Sequence, residues 1–193
     1  MKLVNIESAL QKIKNGLPII FQTDTLPAIG CLPKFSNKIY EIKKRDFKKP
    51  LIMMGADIYQ LTDYVDESAK EDFENIGSKF WPGPLTIIIP ISKNQKAAST
   101  SKDFTLGLRI PNSKTAQSFI KQTGPLLTSS ANISGSQGSM TAEGISIDLP
   151  NVDILGPIPW EKCSGSASTI ISWVNNGQWK LVRKGQVSIK NFL

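Results

Sequence analysis

The pattern of apolar and polar positions predicts that helices and strands alternate along the chain. Near the start, apolar residues recur at the i, i+3, i+4 and i+7 positions that share one face of a helix. They are Ile6, Ala9, Leu10 and Ile13. Asn5 can cap this helix and Gly16 can end it, so an amphipathic helix is predicted here.

The same spacing predicts further helices. They are a helix capped by Ser36 that runs into Lys43, a helix over residues 66–77, a helix capped by Asn112, and a short helix near residues 141–147. Short apolar runs predict strands at residues 17–21, 51–54, 85–89, 104–110, 126–127, 168–172 and 179–183. Residues 85–89 are almost wholly apolar, which is typical of a central strand.

The order of these elements predicts the class of fold. Asn175-Asn-Gly177 separates two predicted strands and is a strong hairpin signal. A hairpin among alternating strands and helices indicates an α/β fold with a twisted, mixed parallel and antiparallel sheet and flanking helices. No linker or internal repeat divides residues 1–193, so one domain is predicted.

Polar side chains follow two of the predicted strands directly. Leu126-Leu127 leads into Thr128, Ser129, Ser130, Asn132 and Ser134 before Gly135, and the strand at 17–21 leads into Thr23, Asp24 and Thr25. Many hydrogen-bonding groups at strand ends are typical of a ligand crevice. Ser, Thr, Asn and Asp also form ordinary turns and caps, so these residues alone leave both interpretations open.

The composition narrows the chemistry that the chain can perform. It contains no histidine, which excludes Ser-His-Asp and Cys-His nucleophilic machinery and a His-ligated zinc. Catalysis must therefore rest on Lys, Arg, carboxylates, hydroxyls, amides and backbone groups. Cys31 and Cys163 are far apart and fit no metal or disulfide pattern, so both are predicted to be buried or incidental thiols.

Positive charge is concentrated in one block. The net charge is +7, and residues 34–49 contain seven basic and two acidic side chains. Such a block attracts polyanions, here a nucleotide or RNA, although it can also be a solvated helix face. No leader or apolar run of membrane-spanning length is present, so a cytoplasmic protein without membrane contact is predicted.

Ordered motifs along the chain resemble those of the YrdC family, the threonylcarbamoyl-AMP synthases. They are Thr23-Asp-Thr25, Lys43-Lys-Arg45 with Lys49-Pro-Leu51, Trp81-Pro-Gly-Pro-Leu-Thr86, Leu108-Arg-Ile-Pro111, Ser130-Ala-Asn132, Ser168-Thr-Ile170 and Arg183-Lys-Gly185. Each motif is weak alone, but together they follow the family's order over nearly the full length. The resemblance implies a single YrdC-like domain with a basic concave groove.

The resemblance also implies a reaction. L-Threonine, bicarbonate and ATP give threonylcarbamoyl-AMP and pyrophosphate, for the N6-threonylcarbamoyladenosine modification at position 37 of transfer RNA. A site for this reaction must neutralise anions and fix their geometry. A Mg²⁺ ion is expected to travel with ATP, and no carboxylate cluster indicates a metal site held by the protein.

The family's residue roles carry over to matching positions. Lys43, Arg45, Ser130 and Asn132 are the expected catalytic and ATP-binding residues, with Arg183 also near the nucleotide. Thr23, Thr25, Arg109, Thr128 and Ser168 are expected to bind threonine or the carbamate. Lys43 and Arg45 point the same way only if they lie at or just past the end of their helix.

Some positions depart from the family pattern. Gln22 stands where the family usually has Pro, Pro27-Ala28 replaces an aromatic-Gly pair, and Asp46 follows Arg45 where Pro is common. These changes are expected to affect substrate affinity more than the reaction. The chain ends soon after the Arg183 motif and so resembles the short, single-domain members.

Two other functions remain open from the sequence. One is a non-catalytic module of the same fold that binds transfer RNA or double-stranded RNA through residues 34–49. The other is a paralogue that uses the same groove for a different carbamoyl or nucleotidyl transfer. The expected partners of a synthase also include the enzymes that transfer threonylcarbamoyl to transfer RNA.

Overall fold

A computed structural model describes residues 2–189. Its strands are β1 (Leu3–Val4), β2 (Ile19–Phe21), β3 (Ala28–Cys31), β4 (Ile52–Met54), β5 (Leu85–Pro90), β6 (Thr105–Arg109), β7 (Leu126–Ser130), β8 (Asp153–Leu155), β9 (Thr169–Asn175) and β10 (Gln178–Arg183). Its α-helices are α1 (Ile6–Lys14), α2 (Asn37–Lys43), α3 (Tyr59–Thr62), α4 (Lys70–Phe80), α5 (Lys114–Thr123) and α6 (Ala142–Asp148). Short 3₁₀ turns lie at Pro33–Phe35, Glu67–Ala69 and Lys93–Ala98.

The strands form one ten-stranded mixed sheet in the order β1-β8-β2-β3-β7-β4-β6-β5-β9-β10. β1 and β2 are parallel to β8, β4 to β6, and β5 to β9. The remaining neighbours are antiparallel, including the predicted β9–β10 hairpin. The α/β class with a mixed sheet is therefore confirmed. β5 lies inside the sheet as predicted, but third from one edge rather than at its centre.

Helices cover both faces of the sheet, so most strands are apolar on both sides. α2, α4 and α6 pack in one core cluster through residues such as Ile39, Phe73 and Ile145. α1 and α5 pack in the other through Ile13 and Phe119. This arrangement explains why the strands appear in the sequence as continuous apolar runs.

The first helix agrees with its prediction in detail. The Asn5 side chain accepts a hydrogen bond of 2.9 Å from the Ser8 backbone N–H, which caps α1. Gly16 follows the helix with a φ of 77°, a left-handed conformation that glycine adopts readily.

Of the other two predicted caps, Ser36 has the right position but lacks the capping hydrogen bond, and Asn112 is wrong. α2 starts after Ser36, but the Ser36 side chain makes no capping hydrogen bond. α5 is capped by Ser113, which accepts from Ala116 N–H at 3.3 Å, and not by Asn112. The backbone N–H of Asn112 instead donates to Asp24 Oδ1 at 3.0 Å.

The helix predicted over residues 66–77 is two elements. Asp66 accepts hydrogen bonds from the backbone N–H and hydroxyl of Ser68, which caps the 3₁₀ turn at Glu67–Ala69. The α-helical hydrogen bonding then starts at Lys70 and continues to Phe80.

Three strands were not predicted: β1, β3 and β8. β3 is the most important of them because it lies between β2 and β7 and is fully buried. Gly30 interrupts its apolar pattern, but a Cβ at this position would lie 2.9 Å from the Phe21 ring. The close packing of β3 on Phe21 thus explains why a glycine stands at position 30, where it interrupts the apolar pattern by which the strand could have been predicted.

No described helix is long and apolar enough to cross a membrane.

Candidate active site

A cavity of about 190 Å³ is lined by residues of the seven neighbouring strands β3, β7, β4, β6, β5, β9 and β10. Most of the predicted site residues line it, namely Thr25, Arg45, Arg109, Thr128, Ser130, Ser168 and Arg183. Its other lining residues are Leu26, Ala28, Pro50, Ile52, Met54, Thr86, Ser129, Ala167 and Ile170. Thr23, Lys43 and Asn132 do not line the cavity but contact residues that do.

The strand register explains why these residues meet. Thr128 on β7 pairs with Ile52 on β4, and Ser130 pairs with Ala28 on β3. Residues two apart on a strand face the same side, so Thr128 and Ser130 both present their side chains to the cavity. Of the polar residues after Leu126-Leu127, Thr128, Ser129 and Ser130 therefore belong to a cavity wall, whereas Asn132 and Ser134 lie in the loop that follows.

Arg109 is buried at one side of the cavity and is the centre of a polar network. Its Nη2 forms an ion pair of 2.7 Å with Asp24 Oδ1, and its Nη1 donates to Thr25 Oγ1 at 2.8 Å. Its Nε donates to the Gly83 carbonyl at 3.2 Å. Burial lowers the pKa of Arg109, while Asp24 acts in the opposite direction and stabilises the charged guanidinium.

Thr23 supports this network from behind the cavity wall. Its hydroxyl oxygen lies 3.2 Å from the Thr25 hydroxyl oxygen and donates to the Leu26 carbonyl at 2.7 Å. The side chain of Thr23 is fully buried. In this arrangement Thr23 orients Thr25 rather than contacting the cavity itself.

Lys43 holds the opposite side of the cavity. Its ammonium donates to the carbonyls of Ser130 and Asn132 and, at 3.3 Å, to Asn132 Oδ1. In return the Lys43 carbonyl accepts from Ser134 N–H at 2.9 Å. Burial and, to a lesser extent, the charge of Arg45 lower the pKa of Lys43 to about 8. An ammonium has three donors, so these contacts use all of them.

The side chain of Asn132, like that of Lys43, is fully hydrogen-bonded to protein atoms, here of Ser130 and of the loop that follows β7, residues 131–136. Its Oδ1 accepts from the Ser130 hydroxyl at 2.6 Å, and its Nδ2 donates to the carbonyls of Ile133 and Ser136. Lys43 and Asn132 thus fix the shape of this loop and the position of Ser130, which lines the cavity.

Arg45 reaches the cavity because of how α2 ends. Lys44 adopts a left-handed conformation with a φ of 50°, and Arg45 N–H bonds back to the Tyr40 carbonyl at 2.9 Å. Lys43 and Arg45 therefore lie at and just past the helix end, as predicted. The Arg45 guanidinium donates to the carbonyls of Lys49 and Pro50, and burial lowers its pKa.

Arg183 is placed by an irregularity in β10. The register with β9 shifts between Leu181 and Arg183, and Arg183 pairs with Ile170, a cavity residue. A bulge of this kind changes the direction of a side chain. The Arg183 guanidinium donates to the Ser168 carbonyl at 2.8 Å and to its hydroxyl at 3.2 Å, and burial lowers its pKa.

The remaining hydroxyls of the cavity form hydrogen bonds with other protein atoms. Thr128 Oγ1 donates to the Ile52 carbonyl at 3.2 Å. Ser168 Oγ and Thr86 Oγ1 are hydrogen-bonded at 2.8 Å. Thr86 and Asp24 were not given roles from the sequence, although both stand inside the motifs that predicted the site.

The cavity is positively charged. None of its lining residues is acidic, and within residues 2–189 neither Arg45 nor Arg183 pairs with a carboxylate. The same described part of the chain contains no group of three or more His, Cys, Asp or Glu residues that could hold a metal ion. The arrangement can therefore bind anions through guanidinium groups and hydroxyls.

The basic block divides into two parts. Lys43 and Arg45 turn inward, whereas Lys34, Lys44 and Lys48 are exposed on the surface. Phe47 is 63% exposed and stacks on Tyr40 with ring centroids 4.5 Å apart. RNA binding by this surface stays a prediction.

Both cysteines are free, and burial raises the pKa of the Cys31 thiol to about 12.

The mixed sheet with helices on both faces defines an α/β protein, and comparisons with known proteins agree with this fold. The Sua5/YciO/YrdC family model, described as "Telomere recombination", matches residues 11–185. The chain therefore belongs to the Sua5/YciO/YrdC family.

Two similar proteins are both named as threonylcarbamoyl-AMP synthases. The chain is 31% identical over 163 residues to the threonylcarbamoyl-AMP synthase of Blochmanniella pennsylvanica, covering 79% of this chain and 84% of that protein. It is 34% identical over 193 residues to a putative threonylcarbamoyl-AMP synthase of Methanocaldococcus jannaschii, covering 96% and 87%.

The fold is also found in solved structures. The structure of P. abyssi Sua5 complexed with L-threonine superposes with a TM-score of 0.88 at 26% identity and covers 99% of this chain. The chain spans 59% of the length of that Sua5 chain.

Proposed function

We propose that this protein is an L-threonylcarbamoyladenylate synthase, a nucleotidyltransferase that makes threonylcarbamoyl-AMP and pyrophosphate from L-threonine, bicarbonate and ATP. The product serves the N6-threonylcarbamoyladenosine modification at position 37 of transfer RNA. One observation carries the proposal: Arg45 and Arg183 line a cavity without acidic residues, and neither pairs with a carboxylate of residues 2–189.

The chemistry requires such a site. The threonine amine attacks the bicarbonate carbon and water leaves, which gives a carbamate. A carbamate oxygen then attacks the α-phosphorus of ATP, and the bond to the β-phosphate oxygen breaks to release pyrophosphate. Both reacting groups are anions, so fixed positive charge and fixed geometry lower the barrier.

The positions of the side chains support a division of roles. Arg45 and Ser130 face the triphosphate, with Arg183 near the nucleotide. Thr25, Arg109 and Ser168 bind the amino acid and carbamate, with Thr128 beside them. Lys43, Asn132 and Thr23 act through residues that line the cavity, because their own polar atoms are already hydrogen-bonded.

The other partners follow from this activity. Mg²⁺ enters with the triphosphate as part of the substrate, since no lining residue of the cavity is a carboxylate. Enzymes that transfer threonylcarbamoyl to transfer RNA receive the product. Direct binding of RNA and a cytoplasmic location stay predictions from the sequence, as does the organisation of residues 1–193 as one domain.

The test is product formation from ATP, Mg²⁺, L-threonine and bicarbonate, followed by mass spectrometry and pyrophosphate release. Pyrophosphate that requires both threonine and bicarbonate, together with the mass of threonylcarbamoyl-AMP, is the expected result. Pyrophosphate that requires neither substrate would instead indicate a paralogue with another nucleotidyl transfer.

A pair of variants separates the synthase from an RNA-binding module. Arg45→Ala removes a cavity guanidinium and is expected to reduce kcat/KM by about 100-fold or more. Lys48→Ala removes an exposed charge of the same basic block and leaves synthesis unchanged. If Arg45→Ala also leaves synthesis unchanged, the assignment of Arg45 to the site is wrong. If the wild-type protein makes no product, while Arg45→Ala and Lys48→Ala both weaken RNA binding and reduce its salt dependence, the RNA-binding module is favoured.

A further inference from the structure

Residues 157–167, between β8 and β9, form no helix or strand and are hydrogen-bonded to the residues after β2. Ser164 N–H donates to the Asp24 carbonyl at 3.0 Å, and Gly165 N–H donates to the Thr25 carbonyl at 3.1 Å. The Gln22 side chain adds a third contact, because its Nε2 donates to the Glu161 carbonyl. The segment is therefore joined to the chain that carries Asp24 and Thr25.

Gln22 is unusual in this position. Its side chain is 7% exposed, and its amide is the only part of it that can donate a hydrogen bond. The motif that it precedes usually has Pro here, and a Pro side chain cannot donate. This contact is therefore a property of this chain rather than a requirement of the motif.

The segment leads directly to the cavity. It ends at Ala167, which lines the cavity next to Ser168. The residues to which it bonds, Asp24 and Thr25, also hold Arg109 through an ion pair and a hydrogen bond. A displacement of the segment would thus move the cavity wall on the Arg109 side, whereas Arg45 and Ser130 are held independently by the β7 loop and the end of α2.

We propose that Gln22 is a positioning residue that fixes the 157–167 segment and thereby shapes the end of the cavity that binds the amino acid. This role rests on the proposed synthase function for the identity of the ligand. The hydrogen bond between Gln22 and Glu161 acts through the segment and through Thr25, and Gln22 does not contact substrate.

The first experiment needs no substrate. Hydrogen exchange of the Ser164 and Gly165 amides is measured in the wild type, in Gln22→Met and in Gln22→Glu. Met has a similar length but no donor, and an ionised Glu presents an acceptor to the Glu161 carbonyl. Both amides are expected to exchange about tenfold faster in the variants, because one net hydrogen bond is lost.

The second experiment measures kinetics with the same variants. KM for L-threonine is expected to rise about three- to tenfold, with kcat and KM for ATP unchanged. A merely structural role would change all three together or none. Gln122→Met is the matched control, since Gln122 is exposed and its Nε2 donates to the Ser118 carbonyl within α5.

The outcomes are distinct. If the Ser164 and Gly165 amides exchange at the wild-type rate in the variants, Gln22 does not fix the segment. Faster exchange with an unchanged KM for threonine overturns the positioning role. Absence of threonylcarbamoyl-AMP with the wild-type protein defeats the synthase function itself, and with it the assignment of this end of the cavity to an amino acid.

Discussion

The two sides of the cavity are each held by a buried cation, but the partners of these cations differ. Arg109 is 3% exposed and forms an ion pair with the Asp24 carboxylate. Lys43 is 1% exposed and, within residues 2–189, donates only to carbonyl and amide oxygens of Ser130 and Asn132. One charge is therefore neutralised by an opposite charge, whereas the other is stabilised by dipoles.

This difference has consequences for stability and for function. A buried ion pair is sensitive to the loss of either partner, since the remaining charge is left uncompensated. A buried ammonium that is bound to carbonyls can lose its proton, and it then has fewer donors for the same acceptors. Loss of the ion pair on the Arg109 side should thus reduce stability most, whereas the Lys43 side should make activity depend on pH.

The largest effect on stability is expected from Asp24→Asn. The substitution keeps an oxygen that can accept from Asn112 N–H but removes the charge that compensates Arg109. The free energy of unfolding is expected to fall by about 3 kcal/mol, measured by urea denaturation. Glu67→Gln is the control, because the Glu67–Lys70 pair is exposed and its loss should not be measurable. A fall no larger than that of the control would show that Asp24 is dispensable.

The next effect concerns Lys43→Met. The substitution fills a similar volume but leaves the carbonyls of Ser130 and Asn132 without their donor. Stability is expected to fall by only about 1–2 kcal/mol. The displaced β7 loop is expected to lower kcat/KM by about 100-fold, because misplacement of a reacting group is costly.

The exposed Lys48 provides the comparison for that result. Lys48→Met removes a charge from the same basic block and should change neither stability nor kcat/KM. If Lys43→Met remains active while its loop retains the wild-type shape by crystallography, Lys43 does not control activity through that loop.

The sequence predicted the Lys43 side better than the Arg109 side. The polar run from Thr128 to Ser134 follows its strand directly, so a loop at a strand end could be predicted from neighbouring residues. Lys43 was also identified, and its place at the end of α2 was predicted, but its bonds to Ser130 and Asn132 are seen only in the structure. The sequence therefore predicted which residues belong to the site, but not the hydrogen bonds between them.

The Arg109 side depends on contacts that are distant in sequence. β3 was missed because Gly30 interrupts its apolar pattern, although the close packing of Gly30 on Phe21 leaves no room for a Cβ there. The ion pair joins Asp24 to Arg109 across 85 positions, and neighbouring residues give no signal for it. The 157–167 segment likewise lacks any periodic pattern that would place it beside Gln22.

A third effect is a dependence on pH that only the Lys43 side should show. The pKa of Lys43 is lowered from 10.5 to about 8, so the amine loses its proton as the pH rises through this value. A neutral amine has two N–H groups for three acceptors, so kcat/KM is expected to fall above about pH 8. Lys43→Arg, which does not titrate in this range, should lose that part of the pH profile; a profile that is identical in the variant would contradict this assignment.

Stability should change in the opposite direction over the same range. The folded-state pKa of Lys43 is below its unfolded value, so the unfolded state binds more protons between about pH 8 and 10.5. The contribution of this group to the free energy of unfolding therefore rises with pH, while activity falls. Urea denaturation of the wild type and of Lys43→Arg at several pH values measures the difference.

The smallest effect is expected from Thr128→Val, which tests the wall between the two sides. Thr128 lines the cavity, but its hydroxyl already donates to the Ile52 carbonyl at 3.2 Å. Removing that bond is expected to cost about 1 kcal/mol of stability and to leave KM for threonine within about twofold of the wild type. Ser168→Ala is the comparison, because Ser168 contacts both Thr86 and Arg183 and should raise KM more. If Thr128→Val raises KM for threonine more than Ser168→Ala does, the Thr128 hydroxyl binds substrate directly and exchanges its bond to Ile52 for one to the ligand.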